Sequence, residues 1–482
     1  MDQILIIGGG IAGLYCACRL KTKYPQKNII VVECRPRLGG RIRSIYDKEH
    51  DFMQDSGSWR VHQTHTNMMK LAKDLNIKMK CIHSSICNNA VQENFKHSID
   101  PEPAFSLKES LVFSKTRDQI HKIEKEHGFL GSMDGAQRTY SISSKAEGVY
   151  YSPENGMSQY INVLEERCKT LGVHILLNTR VYSMYQSLAP GKYNVKTVLR
   201  TENTFHKQQL KCDTIICTVP PDTLNKIKTN FNIHLRCIVK SLQSLPLLRV
   251  YLNLKKGKSI KQPFYIVTQD SLGHLISISN TKFMATYCSG YLAGWHWKSN
   301  MFDPKTYLSN LKMLYKQNFK KYGYLPHPED VDFTELGCQC YWEHAVHIWK
   351  AEVTVRTKHP PVKNACLVHE TELPNFYLCG EAYSDEQGWA EGALQTSNIV
   401  LEAIEKRQHH DFKVKRKVKT KDHIVYNKKL INIKNWLDAH PGGRKAILNH
   451  INDKDVAQLI LQVHNHSDKV YSLIFGMEDG YV

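Results

Sequence analysis

The chain has 482 residues, 41% of them apolar and 23% charged, with 27 Gly and 17 Pro; such a composition excludes a disordered or collagen-like chain, and the length exceeds one ordinary core, which stops growing at roughly 250–300 residues. No window approaches the ~18–20 consecutive apolar residues of a membrane span, and the apolar start Ile4-Leu5-Ile6-Ile7 follows Asp2 and meets a glycine cluster, unlike a signal peptide. Sixty-five basic against 46 acidic side chains give +19, an excess that attracts anions, but it is scattered through mixed-sign stretches with no zinc-finger spacing or nucleic-acid module, so nucleic acid is not an expected partner.

In chain order, residues 4–7 form a short β-branched run of the kind buried in a parallel sheet. Gly8-Gly9-Gly10-Ile11-Ala12-Gly13 follows, then helical spacing over 14–20 and a second strand over 29–32, ending at Glu33. Further strands are expected at 173–177 and at 214–219, the latter closed by Pro220-Pro221. Residues 245–290 alternate apolar and polar types as an antiparallel sheet would. A strand at 376–379 feeds Gly380-Glu381, and Gly392-Ala393-Leu394 opens a last long helix to about Arg407. From Lys406 to His423, eight basic and two acidic residues read as a solvated linker. Residues 423–482 then form a further compact unit.

The 14 cysteines are diluted over the chain without paired spacings, so they read as small buried hydrophobes in a reducing, intracellular and soluble protein. Cys338-Gln339-Cys340 has no second ligand pair at metal spacing.

Gly8, Gly10 and Gly13 have G-x-G-x-x-G spacing between strand and helix. The first permits the tight turn, the second lets the backbone approach a pyrophosphate, and the third lets helix and strand pack closely. The helix N-terminus offers unpaired N–H groups to the phosphates. Glu33 stands where a carboxylate accepts the ribose hydroxyls. Together these predict a dinucleotide site that includes Ile11 and Ala12.

Arg35-Pro36-Arg37-Leu38-Gly39-Gly40-Arg41 adds a second glycine pair, and the extended motif resembles that of the flavin amine oxidase superfamily, which includes monoamine, polyamine and L-amino-acid oxidases. Asp55-Ser56-Gly57-Ser58-Trp59, Gly156-Met157, Leu378-Cys379-Gly380-Glu381 and Gly388-Trp389-Ala390-Glu391-Gly392-Ala393 are similar to later segments of that family. The resemblance implies an FAD-binding domain of Rossmann-like α/β fold over 1–85, 152–235 and 370–408, interleaved with a mixed-sheet substrate domain over 86–151 and 236–369. It places Arg35, Gly39, Gly40, Arg41, Gly380, Glu381, Gly388, Trp389 and Ala390 at the flavin nucleotide, with Val181 touching adenine through its backbone. Monoamine oxidases attach FAD to a cysteine some thirty residues before the Gly-Glu pair. Here Tyr341-Trp342-Glu343-His344-Ala345-Val346-His347-Ile348-Trp349 contains none, so non-covalent FAD is expected.

The implied reaction is hydride transfer from an amine to flavin, with oxygen as acceptor and hydrogen peroxide as product. Trp389 and Trp349 are the candidate aromatic walls of the substrate site, and Lys261 is the candidate for a lysine that aids reoxidation. Arg249 could serve a carboxylate-bearing substrate. Two other readings share the fold: an FAD-dependent dehydrogenase or desaturase on a non-amine substrate, and an inactive FAD-binding scaffold that contacts anionic partners.

After the basic linker (409–422), Trp436-Leu437-Asp438-Ala439-His440-Pro441-Gly442-Gly443 resembles the haem-binding turn of cytochrome b5. This implies a small α+β domain over 423–482 holding haem b through the metal ligands His440 and His466, with His464 as the other candidate. Two imidazoles saturate the iron and leave an electron carrier, either as a relay from the flavin or towards an electron-transfer partner.

Overall fold

The computed structural model describes residues 3–47, 52–81, 150–409 and 420–481, with short interruptions within the last two stretches. The central layer is a five-stranded parallel sheet in the order Phe376–Leu378, Thr214–Cys217, Gln3–Ile7, Asn28–Val32, His174–Leu176. All five strands expected from the apolar runs are in it, drawn from distant parts of the chain. Leu5 pairs with Ile30 on one side and Ile215 on the other. Both faces of the sheet are covered, which is why these strands read as continuous apolar runs instead of alternating ones. The helices Ile11–Lys23 and Ala390–His409 pack on each other, and Ser158–Thr170 packs on the first of them.

The alternating stretch forms a second sheet, antiparallel, in the order Tyr265–Val267, His274–Ser277, Lys282–Ser289, Leu242–Asn253, Cys338–Trp349. Its own apolar core joins Leu248, Val250 and Phe283 to Leu311, Leu314 and Tyr315 of the helix Pro304–Tyr322. That helix is well delimited. Asp303 caps its start by accepting from the Thr306 N–H at 3.1 Å, proline occupies the first turn, and Gly323 ends it in the left-handed region at φ +59°.

The C-terminal segment contributes a three-stranded sheet, His423–Tyr426, Lys429–Asn432 and Glu478–Tyr481, and the helices Gly443–Leu448 and Asp468–Met477. Its buried side chains Leu473, Ile474 and Phe475 join the large core of the parallel-sheet body. The helix Asp468–Met477 lies against Ile233–Lys240, and the Phe475 ring stacks on Trp349 with centroids 5.9 Å apart. Among the described residues, no helix is long and apolar enough to cross a membrane.

Candidate functional site

A cavity of about 520 Å³ runs from the glycine turn of the parallel sheet to the inner face of the antiparallel one. Gly8, Gly10, Ile11, Ala12 and Glu33 line one end. Gly8 has φ +111°, and a Cβ at Gly13 would stand 2.0 Å from the Gly8 carbonyl oxygen, so only glycine lets the helix pack this close to the strand. Above Gly10 the space is open: a Cβ there would meet no described heavy atom within 4 Å. Glu33 is buried, and its carboxylate accepts from the Gly9 N–H at 2.8 Å and the Arg35 N–H at 2.9 Å. It therefore shapes the turn as well as offering its remaining lone pairs to a ligand. Gly39 donates its N–H to Gly9 at 2.8 Å, which brings Arg35, Gly39, Gly40 and Arg41 onto the same wall.

Gly380, Glu381, Gly388, Trp389 and Ala390 form the facing wall. Glu381 is 5% exposed and sits in a chain of charges. Arg41 donates to it at 2.6 Å, the Gly388 N–H at 2.6 Å, and His347 Nδ1 lies 2.9 Å away. On the other side of the His347 ring, Nε2 lies 3.5 Å from Asp222. Burial pushes both carboxyls up, but the neighbouring charges prevail. Arg41 and His347 hold Glu381 down to about 2, while His347 and His344 hold Asp222 down to about 2. His347 is pushed down by burial and lifted past its ordinary value by Glu381 and Asp222, which favour the charged ring. Glu391 braces the same wall by accepting from the Asn67 and Met68 N–H groups at the start of the helix Thr66–Asp74.

The far end is aromatic and cationic. The Arg60 guanidinium lies over the rings of Tyr150 at 4.3 Å, Trp59 at 4.9 Å and Trp389 at 5.6 Å. Arg249 lies over Tyr287 at 5.0 Å and Trp59 at 5.8 Å. Both arginines line the cavity, yet they are only 4% and 3% exposed. Arg249 donates through Nη1 to the Asp55 carbonyl at 3.1 Å, and its Nε finds no hydrogen-bond partner among the described residues. The carboxylates of the lining are engaged or distant. Asp270 accepts from the Leu272 N–H and the Asn318 amide, Glu33 and Glu381 are held as above, and Glu343 is exposed.

The family model for flavin containing amine oxidoreductases matches residues 11–93 and 122–400, well over half of the chain. The chain belongs to that family. Amine oxidase A of Sus scrofa is 31% identical over 87 residues, 18% of this chain and 16% of the relative. An L-amino-acid oxidase of Siganus canaliculatus is 31% identical over 78 residues, 16% of this chain and 14% of the relative. An uncharacterized protein of Acanthamoeba polyphaga mimivirus is 42% identical over 59 residues, 12% of each chain. These matches thus span between 12% and 16% of the length of the curated relatives. Among solved structures, a protein of Exiguobacterium sp. 255-15 described as a protoporphyrinogen oxidase aligns with TM-score 0.54 and 15% identity, covering 84% of this chain and 99% of that one, a likeness of fold. Family membership implies FAD, and the site fits it: a glycine turn with open space above Gly10 stands at a helix N-terminus, within one cavity shared with the Gly380-Glu381 wall.

Several expected residues lie elsewhere. Trp349 is not among the cavity-lining residues; its indole N–H donates to the Ser384 carbonyl at 2.9 Å and its ring faces Phe475. The strand Cys338–Trp349 lines the cavity over residues 342–346 and again at Ile348, and Trp349 lies beyond it, held against Ser384 and Phe475. Trp342 and Trp59 replace it as aromatic lining beside Trp389. Lys261 is exposed, in the segment between two strands of the antiparallel sheet, and is not among the lining residues either. Gly13 acts through packing, and Val181 is buried in the strand Thr179–Gln186 outside the lining.

Of the haem ligands expected in the C-terminal unit, only His440 is among the described residues. His464 and His466 lie outside the described residues. The Gly442 N–H donates to His440 Nδ1 at 3.2 Å. Among the described residues, no group of three His, Cys, Asp or Glu side chains could hold a metal ion.

Arg60, Asp222 and His347 carried no sequence signal of their own. Arg60 follows directly on the Asp55–Trp59 segment, and that adjacency was the one available pointer.

Proposed function

We propose that this protein is an FAD-dependent oxidase of α-amino acids: it takes an amino acid, oxygen and water to a 2-oxo acid, ammonium and hydrogen peroxide. The observation that carries this reading is the pair of buried arginines, Arg60 and Arg249, at the aromatic end of the cavity. A guanidinium fork suits a carboxylate, and a buried donor without a partner, such as Arg249 Nε, is costly until a ligand supplies one. Polyamines and simple monoamines would bring positive charge, with no carboxylate to offset it, against the two fixed arginines.

FAD supplies the hydride acceptor. The rest falls to the protein. Arg249 and Arg60 grip the carboxylate and so fix where the α-carbon lies. Their positive charge also favours the neutral form of the substrate amine, whose lone pair assists departure of the hydride. Trp59, Trp389 and Tyr287 exclude water and wall the side chain. His65, against Trp389 at 4.8 Å, is pushed down to about 3 by burial, His62 and Arg60, so it adds no charge there. The likeness to an L-amino-acid oxidase over 78 residues agrees with this choice. The haem relay rests on its sequence resemblance alone and adds no step.

The test is anaerobic mixing of FAD-loaded protein with neutral amino acids, with their decarboxylated amines, and with spermine, following loss of flavin absorbance. Amino acids should bleach the flavin. Equal bleaching by the decarboxylated amines would remove the carboxylate from the reading, and bleaching by none would favour the scaffold or non-amine alternatives.

A further inference from the structure

Among the described residues, three cysteine pairs approach each other. Cys16 and Cys379 have sulfurs 4.0 Å apart, Cys338 and Cys340 3.6 Å, and Cys18 and Cys168 3.0 Å. The first pair is separated by more than a contact distance and is fully buried. The second joins residues two apart on one strand, where a bond would have to buckle the sheet. The third is different. Cys18 projects from the helix Ile11–Lys23 behind the glycine turn, and Cys168 from the neighbouring helix Ser158–Thr170. Their sulfurs are about 1 Å from bonding distance.

We propose that Cys18 and Cys168 are a peroxide-driven, reversible disulfide site that staples the helix of the nucleotide-binding turn to its neighbour. The two thiols have distinct roles. Either sulfur can donate across this contact, which holds the Cys18 thiol below its ordinary value against the opposing effect of burial and pushes the Cys168 thiol up. Cys18 is also the more accessible, at 7% against 0%. Cys18 is therefore the attacking sulfur and Cys168 the resolving one.

The reaction balances with peroxide as the only oxidant. The Cys18 thiolate attacks one peroxide oxygen, the O–O bond breaks, and the departing oxygen leaves as water. Cys168 then attacks the Cys18 sulfur of the sulfenic acid, the S–O bond breaks, and a second water leaves. Two thiols have lost two protons and two electrons, and one peroxide has become two waters. The proposed oxidase activity would supply that peroxide locally, and the inference depends on that reading for its source alone. The bond would close a loop of 150 residues that contains the Asn28–Val32 strand and Glu33. Cross-links that close long loops restrict the unfolded chain strongly.

The experiment uses the reduced, FAD-loaded full chain, treated with reagent hydrogen peroxide, alkylated, and digested without reductant. The expected result is a linked pair of peptides carrying Cys18 and Cys168, removed by dithiothreitol, with a melting temperature raised by roughly 3 °C. In Cys168→Ser a sulfenic-acid trap should label Cys18. Full alkylation of both cysteines after peroxide, or linkage confined to other cysteines, would overturn the proposal. Since added peroxide replaces turnover, the two readings fail separately. An active oxidase with both thiols free sinks this inference alone, and a cross-linked protein inert to amino acids sinks only the function.

Discussion

Replacing Arg249 by methionine tests the substrate reading most directly. The side chain is 3% exposed, so a carboxylate bound to it would be almost wholly desolvated. Truncating one partner of such a buried charge pair costs about 2–5 kcal/mol. Arg60 remains in the same aromatic cluster, also resting on Trp59, and retains part of the hold. A loss of about 3 kcal/mol is therefore expected, equal to about 150-fold in kcat/KM for amino acids. The decarboxylated amine should lose nothing, and should gain where the removed guanidinium had repelled its ammonium. Arg249→Lys keeps the charge and loses the fork, and should fall between. The assay is stopped-flow flavin reduction with each substrate of a matched pair, alongside bound-FAD content and the melting temperature, because Arg249 also donates to the Asp55 carbonyl. Equal losses for the acid and its amine, in a protein that retains FAD and its melting point, would refute the reasoning.

Other substitutions separate packing from chemistry. Trp349→Ala should cost about 3 kcal/mol of stability, seen as a lower melting temperature and weaker FAD retention, while flavin reduction in the fraction that keeps FAD stays near wild type; a rate loss with unchanged stability would return Trp349 to the substrate wall. Gly13→Ala drives a methyl against the Gly8 carbonyl oxygen, so bound FAD should be lost during gel filtration, while Cys16→Ala, three residues further along the same helix and outside the cavity lining, retains it. His347→Gln should depress the melting temperature most near pH 6. The imidazolium, raised in the folded state, contributes fully below its ordinary value of about 6.5 and progressively less as pH rises through its folded value. The partners run the other way: Glu381 and Asp222 contribute above about 4 and lose that contribution as pH falls towards about 2. A deficit in His347→Gln that is the same at pH 6 and pH 10 would contradict the charged ring.

The parts of this molecule that were legible in the sequence are those in which neighbours along the chain do the work. The parallel strands announce themselves as short β-branched runs because both faces are buried, and the glycine turn is readable because Gly8, Gly10 and Gly13 act within one turn of chain. Gly380-Glu381 and Gly388-Trp389 are similarly local. His347, Glu381 and Asp222 meet only after three separate elements dock, and no spacing along the chain encodes that meeting. That Trp342 lines the cavity and Trp349 does not depends on how the strand Cys338–Trp349 docks, past a register irregularity opposite Leu245 and Leu247 that a linear reading does not show. At the C-terminus, the His-Pro-Gly-Gly turn suggested a ligand, and both candidates for its partner, His464 and His466, lie outside the described residues.

The stacking of Phe475 on Trp349 gives the tail a mechanical part in the enzyme. Trp349 is tied through its indole and amide to Ser384 and Gln387, which lie on the loop that ends at Gly388 and Trp389. A protein shortened at the basic linker would bare that indole and the apolar flank of Ile233–Lys240 to water, and the loosened loop beneath would blur the wall against which the flavin must sit. The final segment is a buttress, so its removal should show itself first as weaker coenzyme retention and clumping, well before any question of electron relay arises.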